Sequence, residues 1–143
     1  MDNMQILIIN GPNLNLLGKR EPSIYGSNDF DSYLEKLKSK FPAIKIDYFQ
    51  SNIEGEIVSQ LQQADQKYTG ILLNAAAYTH TSVAIHDAIG AIDTPVLEVH
   101  ISNIYKREEF RHKSIISAQC VGMISGLGLK GYELGLQYFS ESA

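Results

Sequence analysis

The chain of 143 residues has no tryptophan, four prolines and a single cysteine. One cysteine, Cys120, excludes an internal disulfide and leaves no C-x-x-C pair for a metal or redox centre. Its neighbours Ala118, Val121, Gly122 and Met123 mark it as a small buried apolar residue, the usual fate of a free cysteine. No apolar run approaches the roughly 20 residues that a membrane-spanning helix needs. No basic stretch followed by an apolar core stands at the N-terminus, so no secretion signal is expected and a cytoplasmic location is. Cations are not in excess: 12 Lys and Arg face 16 Asp and Glu, for a net charge of −4. That balance, without a basic tract, argues against binding to a nucleic-acid backbone. Internal repeats and low-complexity segments are absent too. With 44% hydrophobic residues, the sequence suits one domain over 1–143 with one core. A chain of this size buries roughly 70% of its extended surface on folding.

What is present is an alternation of short apolar runs and helix-period segments. Gln5 to Ile9 is nearly all apolar, as a strand buried on both faces requires. Ala43 to Phe49 alternates instead, which suits a strand nearer a sheet edge. Gly70 to Leu73, Val96 to Val99 and Val121 to Ile124 supply three more strands. Between them, Phe30, Tyr33, Leu34, Leu37 and Phe41 form a helical stripe, as do Ile53, Ile57, Leu61 and Ala64. Ser51, with Glu54 three residues on, has the spacing of a capping box for that second helix. Ile85, Ala88, Ile89 and Ile92 mark a third helix, ended by Asp93, Thr94 and Pro95. Leu129, Tyr132, Leu136 and Phe139 mark the last. Regular alternation of this kind implies βαβ units with right-handed crossovers. The expected fold is therefore α/β, a flavodoxin-like doubly wound five-stranded parallel sheet with helices on both faces. In such sheets ligands bind beyond the carboxyl ends of the strands, near the switch point.

Chemistry is accordingly sought just after each strand. Asn10 to about Asn28 is a long connection with no helix expected, and such loops are uncommon in compact domains unless functional. Gly18 and Gly26 bracket Arg20 and Tyr25, so a hinged lid at about 18–27 and a plain solvated loop are equally compatible with the composition. A tyrosine acts as a base near neutrality only if a cation favours its phenolate, and Arg20 is close enough in sequence to do so. In the fourth strand Glu98 and His100 are two apart and share a face. A carboxylate in a doubly covered sheet needs a partner. His100 is the economical one, either as a structural ion pair or as an oriented catalytic imidazole. The amides of Ile101 and Ser102 follow and suit an anion. After the third strand, Asn74 is by itself more often a cap than a ligand contact, while His80 shares its crevice. Asp87 turns away from the apolar stripe of its helix, as a solvated carboxylate or one that reaches a neighbouring subunit. The histidines lack metal-ligand spacing, so no metal site is expected. Lys106 to Arg111 reads as a solvated helical turn, and Arg111 matters only because it follows the end of the fourth strand. Gly126 to Gly131 matches G-x-G-x-x-G but follows the last strand and has no acidic residue about 20 positions on. Close packing of helix on sheet, continued by Gly135, explains it better.

The blocks I-N-G-P-N-L-N-L-L-G, L-G-K-R-E-P-S-I-Y-G, A-Y-T-H-T-S-V-A-I, E-V-H-I-S-N and R-E-E-F-R-H-K-S occur in that order over nearly the whole chain. Together they closely resemble the type II 3-dehydroquinate dehydratases. The resemblance implies a flavodoxin-like fold, a dodecamer built as a tetramer of trimers, and cofactor-free dehydration of 3-dehydroquinate to 3-dehydroshikimate in the shikimate pathway. It also implies roles. Tyr25 would remove the proton beside the ketone, with Arg20 stabilising its phenolate, and Asn13 would stabilise the enolate. His100, oriented by Glu98, would protonate the departing hydroxyl. Asn74 and the amides of Ile101 and Ser102 would hold the substrate carboxylate. His80 and Arg111 would contact ring hydroxyls, and Asp87 would reach in from an adjacent subunit. Ala75 stands where the family commonly has proline, and His86 where it frequently has arginine. The rival for the same reaction is a Schiff-base lysine. The rivals from other classes are a flavodoxin-like domain that binds a flavin, nucleotide or other small ligand without this activity, and a phospho-receiver. A receiver would want carboxylates where Asn10 and Asn74 stand.

Overall fold

The computed structural model describes residues 4–18 and 29–142. Five strands, β1 (Met4–Asn10), β2 (Ile44–Gln50), β3 (Gly70–Asn74), β4 (Val96–His100) and β5 (Gly122–Ser125), form one sheet in the order β2-β1-β3-β4-β5. Every pairing is parallel. This is the flavodoxin-like order, with its switch point between the carboxyl ends of β1 and β3. The alternating run lies at an edge, as β2, and the apolar runs of β1 and β3 lie inside.

Four helices, α1 (Phe30–Lys40), α2 (Glu54–Ala64), α3 (Val83–Ala91) and α4 (Lys130–Ser142), cover the two faces. The two-residue period of β1 sorts its side chains. Ile6 and Ile8 join Leu34 and Leu37 of α1 and Tyr132 and Leu136 of α4 in one core. Leu7 and Ile9 join Ile57 and Leu61 of α2 and Ile85 and Ile89 of α3 in the other. The last helix seats closely, because a Cβ on Gly135 would stand 2.6 Å from Leu72 Cδ2. The packing explanation of the glycine motif therefore holds at Gly135, while Gly126 and Gly128 supply positive φ in the turn that enters α4.

Several local expectations are corrected. The serine of the supposed capping box sits too early. Its own N–H is given to the Asn10 carbonyl at 3.1 Å, its Oγ accepts from the Ile53 amide at 2.9 Å and donates to Glu56, not Glu54, and Ile53 is the N-cap. The connection after β1 is not devoid of helix. Leu14–Leu16 make a 3₁₀ turn because Leu14 and Leu17 are apolar enough to be buried there. Lys106 to Arg111 is not one helical turn but the end of one 3₁₀ turn, Ile104–Lys106, and the whole of a second, Glu109–Arg111. Cys120 is only half-buried. Its thiol donates to the Ile116 carbonyl at 3.5 Å, and burial followed by the charge of Glu98 pushes it up to about 12. β3 and β4 each run one residue beyond their apolar run, and those residues are Asn74 and His100.

Candidate active site

At the switch point the chain turns sharply. Gly11 passes so close to β3 that a Cβ there would lie 2.6 Å from the Ala75 carbonyl oxygen, and its N–H is given to the Asn74 carbonyl at 2.7 Å. Asn13 adopts φ 70°, a left-handed backbone that asparagine tolerates, and its amide donates to Asn52 Oδ1 at 3.0 Å. Ala76, with φ 52°, is a left-handed residue without that tolerance, an arrangement that costs on the order of 1 kcal/mol and clusters at functional sites. Its N–H is accepted by Asn74 Oδ1 at 3.1 Å. Ala75 holds φ −77°, within the range a proline ring would fix, so the shape is kept without the proline.

The crevice at these strand ends is lined by Asn13, Asn74, His80, His100, Ile101, Ser102 and Arg111, seven of the eleven residues that sequence reasoning assigned to the site by spacing or resemblance. Glu98 sits behind it, with 0% exposure against 5% for His100. His100 Nε2 is bonded to Glu98 Oε2. With that nitrogen committed to the carboxylate, Nδ1 is the atom left for chemistry. Burial pushes the Glu98 carboxyl up. Hydrogen bonds from His100, Ser117 and Ser114, with the charge of His100, outweigh burial and bring it below the usual glutamate range. The Ser114 hydroxyl donates at 2.8 Å to the oxygen that His100 also holds, and Ser117 donates to the other. A fully buried carboxylate therefore stays charged and fixes the imidazole ring.

His80 has Nδ1 2.9 Å from the Lys113 carbonyl, so Nδ1 carries the proton and Nε2 is the acceptor in the neutral ring. Burial, followed by the charges of His100 and Arg111, pulls it below the usual histidine range, against the opposing effect of that hydrogen bond. Arg111 is held by Glu108 Oε1 at 3.0 Å and lies 5.0 Å over the Phe110 ring. The carbonyls of His100, Ile101 and Ser102 accept from Gly126 N, Gly128 N and Ser125 Oγ at 3.2, 3.0 and 3.2 Å, so the β5–α4 turn sets the planes of these peptides.

Asp87 is not brought to the crevice of its own chain. Its side chain is 71% exposed and its Oδ1 lies 2.9 Å from His86 Nδ1. Arg20, Tyr25 and the expected lid beyond Gly18 lie outside the described residues. Among the described residues, no group of three or more His, Cys, Asp or Glu is placed to share a metal ion.

Sequence reasoning missed two sets of residues. Ser114 and Ser117 lie in an irregular segment with no period to flag them. The signal was Glu98 itself, since one histidine cannot satisfy the lone pairs of a buried carboxylate. Tyr132 was placed in the core by its stripe, correctly, but its hydroxyl was not followed. It donates to Asn10 Oδ1 at 2.7 Å and accepts from Asn74 Nδ2 at 3.0 Å.

Known proteins supply the context for this geometry. The model of the family described as dehydroquinase class II matches residues 4–140. A 3-dehydroquinate dehydratase of Acaryochloris marina is 52% identical over 139 residues, covering 96% of this chain and 93% of that one. The crystal structure of the type II dehydroquinase of Butyrivibrio crossotus superposes with a TM-score of 0.93 at 42% identity, covering 96% of this chain and 98% of the other. That of Propionibacterium acnes gives 0.92, also at 42% identity, over 98% and 99%. Sequence, fold and strand-end crevice agree, and the chain belongs to the class II dehydroquinases.

Proposed function

We propose that this crevice dehydrates 3-dehydroquinate to 3-dehydroshikimate, the reaction for which its relatives are named, with His100 as the general acid. The observation that carries the assignment is the buried Glu98–His100 pair opening onto a crevice shared with Asn13, Asn74, His80 and Arg111. Removing a proton α to a ketone and expelling hydroxide from the β carbon requires a base, an enolate stabiliser and an acid. Tyr25 takes the proton as its phenolate, favoured by the Arg20 cation. The electron pair passes to the ketone oxygen, where Asn13 stabilises the enolate through a bridging water. As the enolate collapses, the C–O bond to the β hydroxyl breaks and His100 supplies the proton that makes it water. One proton is gained and one given, so transfer from Tyr25 back to His100 restores the resting site.

Each acid or base contributes typically 10²–10⁴-fold, and an oriented donor at the enolate oxygen about 3 kcal/mol. Asn74 and the amides of Ile101 and Ser102 hold the substrate carboxylate, and His80 and Arg111 take ring hydroxyls. Closure of the lid at about 18–27 over the single domain excludes water. Asp87, exposed on α3, is available to the crevice of an adjacent subunit in a dodecamer built from trimers. The reaction uses no metal or cofactor, and the enzyme works in the cytoplasm. No lysine among the described residues lines the crevice, so a Schiff-base route would have to use Lys19, which lies outside them.

The test is to mix the purified protein with 3-dehydroquinate, without added metal or cofactor, and follow the absorbance of the conjugated enone. Growth in the parent and its loss in His100→Ala are expected. A folded parent that leaves the absorbance flat overturns the assignment, as does substrate-dependent trapping by borohydride.

A further inference from the structure

Beneath the crevice, four side chains form a polar chain through one of the apolar cores. Asn74 Nδ2 donates to the Tyr132 hydroxyl at 3.0 Å, Tyr132 donates to Asn10 Oδ1 at 2.7 Å, and Asn10 Nδ2 donates to the Tyr48 hydroxyl at 3.3 Å. Asn10, Asn74 and Tyr132 are 0%, 3% and 0% exposed. The direction of the whole chain follows from one backbone group. The Ala76 N–H can only donate, so the Asn74 atom facing it at 3.1 Å is the oxygen. The Asn74 NH₂ group then faces Tyr132, whose oxygen accepts and whose proton must go elsewhere. The acceptor within reach is Asn10 Oδ1, which in turn settles the Asn10 carboxamide and leaves its NH₂ for Tyr48.

We infer that Tyr132 is a positioning residue for the crevice: its hydroxyl, fixed between the ends of β1 and β3, sets the Asn74 carboxamide so that its remaining N–H is a preoriented donor to the ligand. Asn74 has one acceptor oxygen, used by Ala76, and two N–H bonds, one used by Tyr132. Because Asn74 also lines the crevice, its second N–H is a donor with no partner among the described residues. A donor held on both other sides loses little rotational freedom when it binds a carboxylate, which is where preorganisation gives affinity. The hydroxyl does this without touching substrate, and the ring keeps its place in the core on α4.

The inference rests on the proposed reaction only for the ligand, and its test separates the two. Steady-state kinetics with 3-dehydroquinate should show Tyr132→Phe raising KM about tenfold, the loss of one oriented hydrogen bond, with kcat near that of the parent. Unchanged KM overturns the inference, and so does a fall in kcat at constant KM, which would mean general damage. Amide exchange of the Asn74 Nδ2 protons by ¹⁵N NMR gives a second reading that needs no turnover. One proton strongly protected in the parent and exposed in Tyr132→Phe is expected. If the variant does not fold, the parent alone decides, because Asn74 protons exchanging as fast as those of a surface asparagine overturn the inference. A parent inert towards 3-dehydroquinate sinks the proposed reaction while leaving the exchange measurement to judge Tyr132.

Discussion

Asp65 and Glu98 are both carboxylates held charged by several donors, at opposite ends of the same sheet. Asp65, before β3, accepts from the amides of Asp93 and Thr94 at 2.9 and 3.1 Å and from the Thr94 hydroxyl at 3.2 Å. These bonds, that from the Thr94 amide foremost, hold it below the usual aspartate range. Thr94 Oγ1 also accepts from the Gln66 amide at 2.7 Å, so the cluster ties the end of α2 to the start of β4. Its donors are mostly backbone, Asp65 is only part-buried, and none of these donors is a side chain that titrates. Glu98 is buried, its donors are all side chains, and one of them is the imidazole that opens onto the crevice. Multiplicity of donors therefore does not distinguish a functional carboxylate from a stapling one. Burial and a titratable donor facing a cavity do.

The two carboxylate sites should differ most in the effect of removing His100. His100→Ala should lower kcat for 3-dehydroquinate dehydration by about 10³–10⁴-fold if the imidazole is the acid, whereas Asp65→Asn should leave kcat/KM unchanged. Enone absorbance reads both. Comparable losses in the two would erase the distinction between the ends of the sheet. Glu98→Gln comes next. It keeps the volume but leaves the serines and His100 without a charged acceptor, so about a 10²-fold loss in kcat is expected. Destabilisation of about 3–5 kcal/mol in urea should accompany it, as when a buried ion pair loses one partner.

Stability against pH sharpens the contrast. The folded values of Glu98 and Asp65 both lie below their ordinary ones, so each contributes stability that is complete above the unfolded range near pH 4. That contribution is lost as the pH falls through the folded value, when the native carboxylate must be protonated. Denaturant midpoints measured from pH 6 downward should fall in the parent, and fall less steeply in Glu98→Gln and in Asp65→Asn, since each lacks one such carboxylate. An equal slope in parent and variants would show that neither carboxylate is held by folding. Asp65→Asn should also lower the thermal midpoint slightly at neutral pH, where calorimetry can detect it.

The sheet and its helices were legible because periodicity is a property of every residue in an element. Ile6 to Ile9 and the stripe Leu34, Leu37 announce burial repeatedly, and an error of one residue at an end changes little. Glu98 and His100 were legible for a different reason: a charge in a buried strand contradicts its surroundings and demands a partner. Ser114, Ser117 and the Asn10–Tyr132–Asn74 chain were not, because such contacts join segments up to 122 residues apart and leave no local pattern. The capping box failed on the same ground. Ser51 and Glu54 have the right spacing, but the pairing of β2 with β1 fixes Ser51 before the helix starts, and tertiary structure overrides the motif.

The smallest expected effect lies at the crevice end itself, at Ala75, just after β3. Where relatives of this family are expected to carry proline, Ala75 has φ −77° and its N–H has no hydrogen-bond partner among the described residues. Both conditions that proline imposes are therefore met: the fixed φ and the missing donor. Asn74, the last residue of β3, is extended, which the residue before a proline prefers. Ala75→Pro should then stabilise the protein by about 0.4–1 kcal/mol by restricting the unfolded chain, with kcat and KM unchanged because Asn74 and Ala76 keep their conformations. Urea denaturation at neutral pH measures the first and steady-state kinetics the second. A loss of stability would show that the ring collides with the Gly11 approach, 2.6 Å from the Ala75 oxygen to a Cβ built there, and that this turn is already packed to its limit. A gain in stability with a raised KM would show instead that the alanine keeps the Asn74 end of the crevice adjustable, and that the strand end nearest the site is, unlike the Asp65 cluster, tuned for ligand and not for rigidity.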